Sequence, residues 1–249
     1  MQTSQKNRTR TFGAILLVAV LAVAMVLGSL SLAGVGGGSG GSGGGRERSE
    51  EAASAEETRA REALLALARR EAGDPYALGE PDAPVVLIEY SDFQCPFCGT
   101  FARDTKPELV ERYVAEGVLR IEWRQFPIFG EESERAARAG WAAGRQGRFW
   151  EFHDVVYGEE RRKNSGAFAQ EKVEAMAREA GVTDLERFRA DMASDAAETA
   201  IGTDMDEGYA LGVSSTPAFL VNGTPVLGAQ PTEVFAELVE EQERRAAGQ

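Results

Sequence analysis

The sequence predicts an α/β domain that contains an all-helical insertion and follows a transmembrane helix and a flexible linker. Three observations support this prediction. Short apolar or alternating runs at 85–88, 118–124 and 218–221 are typical of strands. Between the second and third runs, residues 131–211 show only helical patterns rich in Ala, Glu and Arg. Residues 12–32 carry no charge, and such a run is long enough to cross a bilayer as a helix.

The apolar N-terminal segment, assigned to residues 12–33, is predicted to be a membrane anchor. Basic residues in the cytoplasmic tail 1–11 predict an N-inside orientation, which makes the protein single-pass and places the remaining chain outside the cytoplasm. A cleaved signal peptide ending near Ala33 is the alternative, and it would make the protein secreted. The apolar run is longer than a usual signal-peptide core of about 7–15 residues, which favours a retained anchor.

The next two segments separate the anchor from the folded domain. Residues 34–45 are almost entirely Gly and Ser and predict a flexible linker. Residues 46–73, rich in Ala, Glu and Arg, predict a charged helix. The net charge is −13, and the tail contributes +3, so the chain from Arg46 onward carries −16. This acidity supports solubility and excludes binding along a nucleic-acid backbone, which needs a basic surface.

The folded domain is predicted over 74–130 and 212–249, with residues 131–211 as its helical insertion. The first strand is followed by a helix that runs to about residue 115, and Pro107 predicts a kink within it. Near the C-terminus, Asn222-Gly223 is a strong hairpin signal, and Pro225 predicts an edge strand or a first strand position. Residues 232–245 form the last predicted helix, with Thr232 as its N-cap.

The chemistry is predicted to lie in the only two cysteines, Cys95 and Cys98. They are too few for a disulfide-rich scaffold, and with the only histidine, His153, they supply at most three of the four ligands of a structural zinc site. We therefore expect no metal. The alternative of an inert structural disulfide is weak, because so short a loop restricts the unfolded chain only slightly.

The position of Cys95 at a strand-to-helix turn favours a redox role. Pro96 suits the first helical position, and the partial positive charge of the helix N-terminus stabilises a thiolate on Cys95. Such a thiolate favours the reduced form and makes the disulfide more oxidising. Cys98 lies one turn into the helix, so we expect it to be more buried and to act as the partner that closes or resolves a mixed disulfide.

A second element lies about 120 residues later, where Thr216-Pro217 precedes a strand. X-Pro bonds are the only peptide bonds readily held cis. A cis Pro217 facing the cysteines would leave the backbone of Thr216 extended and able to pair with a substrate peptide. The alternative is an ordinary proline at the start of a strand.

These motifs together resemble the DsbA family of thiol:disulfide oxidoreductases, in particular its exported and often membrane-anchored bacterial branch. The resemblance covers about residues 74–240. It implies a thioredoxin fold with a helical insertion and a cis bond at Pro217. The residues that carry it are Tyr90–Cys98, Phe149–Asp154, Thr216–Gly223 and Gly228–Pro231.

The resemblance also assigns roles to two further positions. It implies that Glu89 is a buried acid that transfers a proton to and from Cys98, whereas the alternative is a carboxylate at a strand end that faces solvent. Family members with a histidine between the cysteines have a cation that stabilises the thiolate. Phe97 occupies this position here, so we expect a weaker oxidant. His153 is interpreted as a packing residue.

The resulting hypothesis is an enzyme that introduces disulfides into exported proteins without a cofactor, and we expect it to be monomeric. Substrate is expected to contact Pro96, Thr216 and an apolar surface formed by Tyr90, Phe93, Phe97 and Phe101. The resemblance implies a quinone-linked membrane partner, DsbB-like or VKOR-like, that reoxidises the cysteines. The alternatives are a reductase or isomerase that uses the same site, and a non-catalytic holdase. The absence of an evident dimerisation domain weighs against an isomerase.

Overall fold

The computed structural model describes residues 43–248, with side chains from Ser54 onward. The predicted cytoplasmic tail, the anchor and most of the linker lie outside the described residues. Among the helices that are described, none has the length and apolarity needed to cross a membrane. Residues from Arg59 onward form one compact unit.

The predicted charged helix forms as α1, Gly43–Leu65, and it ends eight residues before the predicted boundary at residue 73. The residues after it pack on the sheet instead. The backbone N–H groups of Arg69 and Arg70 each donate to the Glu122 carboxylate at 2.9 Å, and the Arg124 side chain donates to Leu67 O at 2.8 Å. These N–H groups bond outside the helix, and Arg70 has a positive φ of 49°, so this segment does not continue α1.

A five-stranded sheet in the order β1-β3-β2-β4-β5 forms the centre of the domain. The two long strands pair in parallel, and all other neighbours are antiparallel. Every residue of β2 and β3 is buried. The two-residue strand β1 was not predicted from the sequence. The strands are β1 (Ala77–Leu78), β2 (Val85–Ser91), β3 (Leu119–Gln125), β4 (Ala218–Val221) and β5 (Thr224–Leu227).

The predicted hairpin between the last two strands is confirmed. Val221 pairs with Thr224, so Asn222 and Gly223 are the two turn residues. Both have positive φ, at 44° and 82°, as a type I′ turn requires. Pro225 lies on β5, which is an edge strand of the sheet. A proline is tolerated there because it has no backbone N–H, and at an edge position the missing donor can lie on the side that has no neighbouring strand.

The helix that follows Cys95, α2, is continuous but irregular. Pro96–Thr100 and Lys106–Leu109 are α-helical, whereas Phe101–Thr105 and Val110–Val114 are π-helical. The first π-helical segment ends just before Pro107, whose ring would clash with the carbonyl four residues earlier in a regular helix. This π-helical turn is the irregularity that the structure shows where the sequence predicted a kink.

The insertion between β3 and β4 contains five helices and no strand, as predicted. They are α3 (Glu131–Gly144), α4 (Phe149–Tyr157), α5 (Gln170–Glu179), α6 (Leu185–Met192) and α7 (Asp195–Ala210). An aromatic core joins this insertion to the sheet, and Phe93 on the active-site turn stacks on Trp123 of β3 at a centroid distance of 5.0 Å. The insertion thereby forms one wall of the region around the cysteines.

The last helix, α8 (Thr232–Ala246), packs Phe235 and Val239 against the sheet. The prediction that Thr232 caps it was wrong, because Pro231 occupies the N-cap position and no side chain caps the helix. The Thr232 hydroxyl donates instead to Thr105 Oγ1 at 3.3 Å. This hydrogen bond links α8 to the π-helical part of α2.

Candidate active site

The two cysteines lie where β2 leads into α2, as predicted. Cys95 is the N-cap residue of the helix, with extended backbone angles, and Pro96 occupies the first turn. The backbone N–H of Cys95 donates to Asp92 O at 2.9 Å. Both thiols are free, so the structure shows the reduced pair. Cys95 is 3% exposed and Cys98 is fully buried, so Cys95 is the sulfur that a substrate can approach.

The electrostatic environment makes the two thiols unequal. The pKa of Cys95 falls to about 6 because the Cys98 thiol and the backbone N–H groups of Phe97 and Cys98 stabilise its thiolate, although burial opposes this. The pKa of Cys98 rises well above its ordinary value because burial and the neighbouring Cys95 disfavour a second negative charge. At neutral pH the reduced pair therefore holds one thiolate, on Cys95.

The loop before β4 meets Cys95, as the Thr-Pro motif predicted. The Thr216-Pro217 peptide bond is cis. The protonated Cys95 thiol donates to Thr216 O at 3.2 Å, and both loop residues are buried. Pro217 O accepts from Gly228 N at 2.9 Å, which ties the loop to the end of β5. Two of the predicted site residues are thus brought directly to the reactive sulfur.

Glu89 is fully buried within β2, so the alternative of a solvent-facing strand end is excluded. Neither carboxylate oxygen has a hydrogen-bond partner within the part of the chain that the structure describes. Burial raises the pKa of Glu89 to about 7, and the nearby Ser91 hydroxyl and Lys106 ammonium oppose this only in part. An acid in this range can take up or release a proton near neutral pH.

The predicted apolar substrate surface is largely wrong. Phe93 is only 5% exposed, because its ring packs between Trp123 and Tyr157 in the aromatic core. Tyr90 and Phe101 are fully buried. Phe97 is the exception, with 64% of its surface exposed, and the neighbouring Pro96 is also exposed. Of the apolar side chains predicted to contact a substrate, only Pro96 and Phe97 are therefore exposed.

Sequence reasoning missed Asp92, which organises the active-site turn. Its Oδ1 accepts from Gln94 N and from Ser133 Oγ, both at 2.7 Å, and its Oδ2 accepts from Ile128 N at 2.7 Å. The carboxylate therefore joins the turn before Cys95 to the start of the helical insertion. An Asp side chain that accepts from the backbone N–H two residues later forms an Asx-turn. An Asp between a predicted strand and Cys95 was therefore a sequence signal for such a turn.

A second missed group consists of polar residues packed behind the cysteines. The Tyr157 hydroxyl donates to Asp92 O at 2.9 Å. Lys106 is 6% exposed, and its Nζ lies 2.6 Å from Asp154 Oδ1 and 3.1 Å from His153 Nδ1. Burial lowers the pKa of His153 to about 4, so the imidazole is neutral at pH 7. This agrees with the interpretation of His153 as a packing residue.

Comparison with known proteins gives a consistent result. The family model described as "Thioredoxin" matches residues 71–241. The "Probable disulfide bond formation protein D" of Bacillus cereus is 31% identical over 150 residues, which cover 59% of this chain and 69% of that protein.

Two solved structures share the fold. Oxidised BdbD from Bacillus subtilis superposes with a TM-score of 0.64 at 21% identity, covering 69% of this chain and 94% of that chain. Wolbachia pipientis alpha-DsbA1 gives a TM-score of 0.62 at 20% identity, covering 69% and 92%. The chain therefore belongs to the thioredoxin family, and it is a protein thiol:disulfide oxidoreductase.

Proposed function

We propose that this protein is a thiol oxidase that introduces disulfides into exported proteins through Cys95 and Cys98. The observation that carries the proposal is the inequality of the two thiols. A Cys95 pKa of about 6 stabilises the reduced enzyme as a thiolate at neutral pH. A pair whose reduced form is stabilised has an oxidising disulfide, because the free energy gained on reduction drives substrate oxidation.

The size of this effect follows from the pKa of Cys95. At pH 7, a thiol with a pKa of about 6 gains about 1.4 kcal/mol over one with an ordinary pKa of about 8.5. For a two-electron couple this corresponds to an increase of about 30 mV in reduction potential. The buried Cys98 thiol stays protonated and adds no opposing negative charge.

The proposed reaction transfers two electrons in two exchange steps. A substrate thiolate attacks Cys95 Sγ of the enzyme disulfide, the Cys95–Cys98 bond breaks, and Cys98 leaves and takes up a proton. A second substrate thiolate then attacks the substrate sulfur of the mixed disulfide, and Cys95 leaves as its stabilised thiolate. The substrate gains a disulfide, and the enzyme leaves with one thiolate and one thiol.

Each remaining predicted site residue has a place in this scheme. Glu89, when protonated, supplies the proton that Cys98 takes up in the buried interior. The backbone of Thr216, beside Pro217, pairs with the substrate chain next to its cysteine, in the manner of strand addition. Pro96 and Phe97 form the exposed apolar contact on the other side of Cys95.

The location and the electron acceptor complete the proposal. The apolar segment at 12–33 supports a single-pass anchor with the enzyme domain outside the cytoplasm. The reduced pair must pass its two electrons to another protein, and we propose a quinone-linked membrane oxidase, DsbB-like or VKOR-like. A tethered domain would stay close to such a partner and to chains that emerge from the translocon.

A single-turnover assay tests the oxidase direction. The oxidised protein is mixed with an equimolar reduced peptide that has two cysteines, and both products are quantified by mass spectrometry. We expect nearly complete transfer of the disulfide to the peptide. If the peptide stays reduced, and the reduced protein instead reduces the oxidised peptide, the enzyme works as a reductase and the proposal is wrong.

Phe97→His should make the enzyme a stronger oxidant. A histidine cation next to Cys95 stabilises the thiolate, so the pKa of Cys95 should fall by about one unit and the reduction potential should rise by about 30 mV. The increase should be larger at pH 6, where the histidine is charged, than at pH 8. Phe97→Gln is the matched neutral control, and equal potentials for the two variants at pH 6 would refute the electrostatic explanation.

A further inference from the structure

A groove with a volume of ≈ 290 Å³ opens beside Cys95. One wall is the start of α2, with Phe97 and Arg103. The other wall is the end of α4 and the loop that follows it, defined here as the insertion loop, residues 158–165. Cys95 is one of the residues that line the groove. Thr216 contacts the Cys95 sulfur but does not line the groove. A substrate chain that pairs with Thr216 and extends past Cys95 on the other side would lie over this groove.

The insertion loop is held against the active site at two places. Arg103 of α2 donates to Tyr157 O at 2.8 Å and pairs with Glu160 at 3.3 Å. Near the other end of the loop, Asn164 N donates to Gln94 Oε1 at 2.7 Å, and Gln94 Nε2 donates back to Asn164 Oδ1 at 3.2 Å. Because Gln94 directly precedes Cys95, the loop has a defined position relative to the reactive sulfur.

The charges along the groove do not cancel. The two glutamates of the insertion loop are already paired, Glu160 with Arg103 at 3.3 Å and Glu159 with Arg161 at 3.2 Å. Arg162 also lines the groove and is exposed, and its guanidinium has no acceptor among the residues that the structure describes. The groove thus offers an unpaired cation on a domain whose charge from Arg46 onward is −16.

We propose that Arg162 selects substrates that carry an acidic side chain within about two residues of the reacting cysteine. This inference rests on the proposed oxidase function and adds a substrate preference to it. An extended chain advances about 3.3–3.6 Å per residue, so two residues from the sulfur correspond to about 7 Å along the groove. Cys95 and Arg162 line the same groove, so a carboxylate that reaches Arg162 from there would accept the two parallel hydrogen bonds that a free guanidinium can donate.

A double-mutant cycle on the full chain tests this proposal. The rate of mixed-disulfide formation with oxidised enzyme is measured for peptides with one cysteine that differ only in Asp, Asn or Lys two positions before or after it. Wild type is compared with Arg162→Gln and Arg162→Asp. Arg244→Gln removes the same charge from an exposed position on α8 and is the matched control. The cycle cancels the effect of the neighbouring charge on the reactivity of the peptide thiol.

The ratio of the rate with the Asp peptide to the rate with the Asn peptide is compared between enzymes. When the Asp lies on the groove side of the cysteine, we expect this ratio to be about two- to fivefold higher for wild type than for Arg162→Gln, which is the size of effect of a partly exposed ion pair. Arg162→Asp should shift the preference toward Lys, and 0.5 M salt should reduce the differences. Equal ratios in wild type and Arg162→Gln, or the same change with Arg244→Gln, would overturn the proposal. If oxidised wild type forms no mixed disulfide even with the Asn peptide, the result would instead refute the oxidase function.

Discussion

Cys95→Ser should abolish oxidation of a reduced peptide, with a loss of roughly a thousandfold or more relative to wild type. Serine cannot form the intermolecular disulfide, and its hydroxyl is not ionised at neutral pH, so neither exchange step remains possible. The measurement is single-turnover oxidation of a dithiol peptide, followed by mass spectrometry. A Cys95→Ser protein that still oxidised the peptide at the wild-type rate would refute the assignment of Cys95 as the attacked sulfur.

Cys98→Ser is the informative partner of this variant. It keeps a hydroxyl that can donate to the Cys95 thiolate, so Cys95 should stay reactive, with about 90% thiolate at pH 7 if its pKa stays near 6. Iodoacetamide should alkylate Cys98→Ser rapidly and Cys95→Ser slowly, because the remaining thiol of the latter is buried and protonated. Equal alkylation rates would contradict the inequality of the two thiols on which the proposed oxidase function depends.

Glu89→Gln should stabilise the oxidised protein in a way that depends on pH. The pKa of Glu89 is about 7 in the folded protein and about 4.5 in the unfolded chain. The folded state therefore binds the proton more tightly, and wild-type stability falls as the pH rises from about 4.5 through 7. The full cost is about 3 kcal/mol above pH 7, since each pKa unit corresponds to about 1.4 kcal/mol. Glutamine does not titrate, so the variant lacks this loss.

Urea unfolding of the oxidised proteins from pH 4.5 to pH 8 measures this difference, and the oxidised form excludes titration of the thiols. The stability gained by Glu89→Gln should grow by about 3 kcal/mol across this range. Glu237→Gln, at an exposed position on α8, is the matched control and should show no such growth. Under the proposed mechanism Glu89→Gln should also slow release of Cys98 by about tenfold or more. A stability difference that is constant with pH would contradict a buried carboxylate that ionises near neutral pH.

The parts of the fold that local sequence determines were predicted correctly. The apolar runs that became β2, β3 and β4, the Asn222-Gly223 turn and the all-helical insertion follow from short-range patterns. The position of Cys95 at a helix start and its contact with the Thr216-Pro217 loop also agree with the prediction. Here the motifs were informative because Pro96 and Pro217 constrain the backbone around them.

The errors concern burial, which depends on distant parts of the chain. Phe93 appeared to be a substrate contact because it lies beside the cysteines, but the helical insertion covers it with Trp123 and Tyr157. The charged residues of β3 are buried for a related reason. Arg120 and Arg124 both pair with Glu122, while the segment after α1 covers all three. No local pattern predicts which segment will return to cover a given strand.

The charges at the site illustrate the same limit. Lys106 lies within the helix that follows the cysteines, and nothing in its sequence neighbours indicates that it is buried against His153 and Asp154. Arg162 lies in a run of charged residues that resembles any solvated loop. Its place in the groove that Cys95 also lines depends on the contacts of Gln94 with Asn164 and of Arg103 with Glu160, which join distant parts of the chain.

The reduction potential of the Cys95–Cys98 pair tests the central claim most directly. The protein is equilibrated in glutathione redox buffers at pH 7, and the fraction of reduced protein is quantified after acid quenching and alkylation. We expect a potential clearly less negative than the roughly −270 mV of thioredoxin, and a Cys95 pKa near 6 by thiolate absorbance of the same reduced protein. A potential near −270 mV or below, in the range of the reductant thioredoxin, together with an unshifted Cys95 pKa, would contradict it.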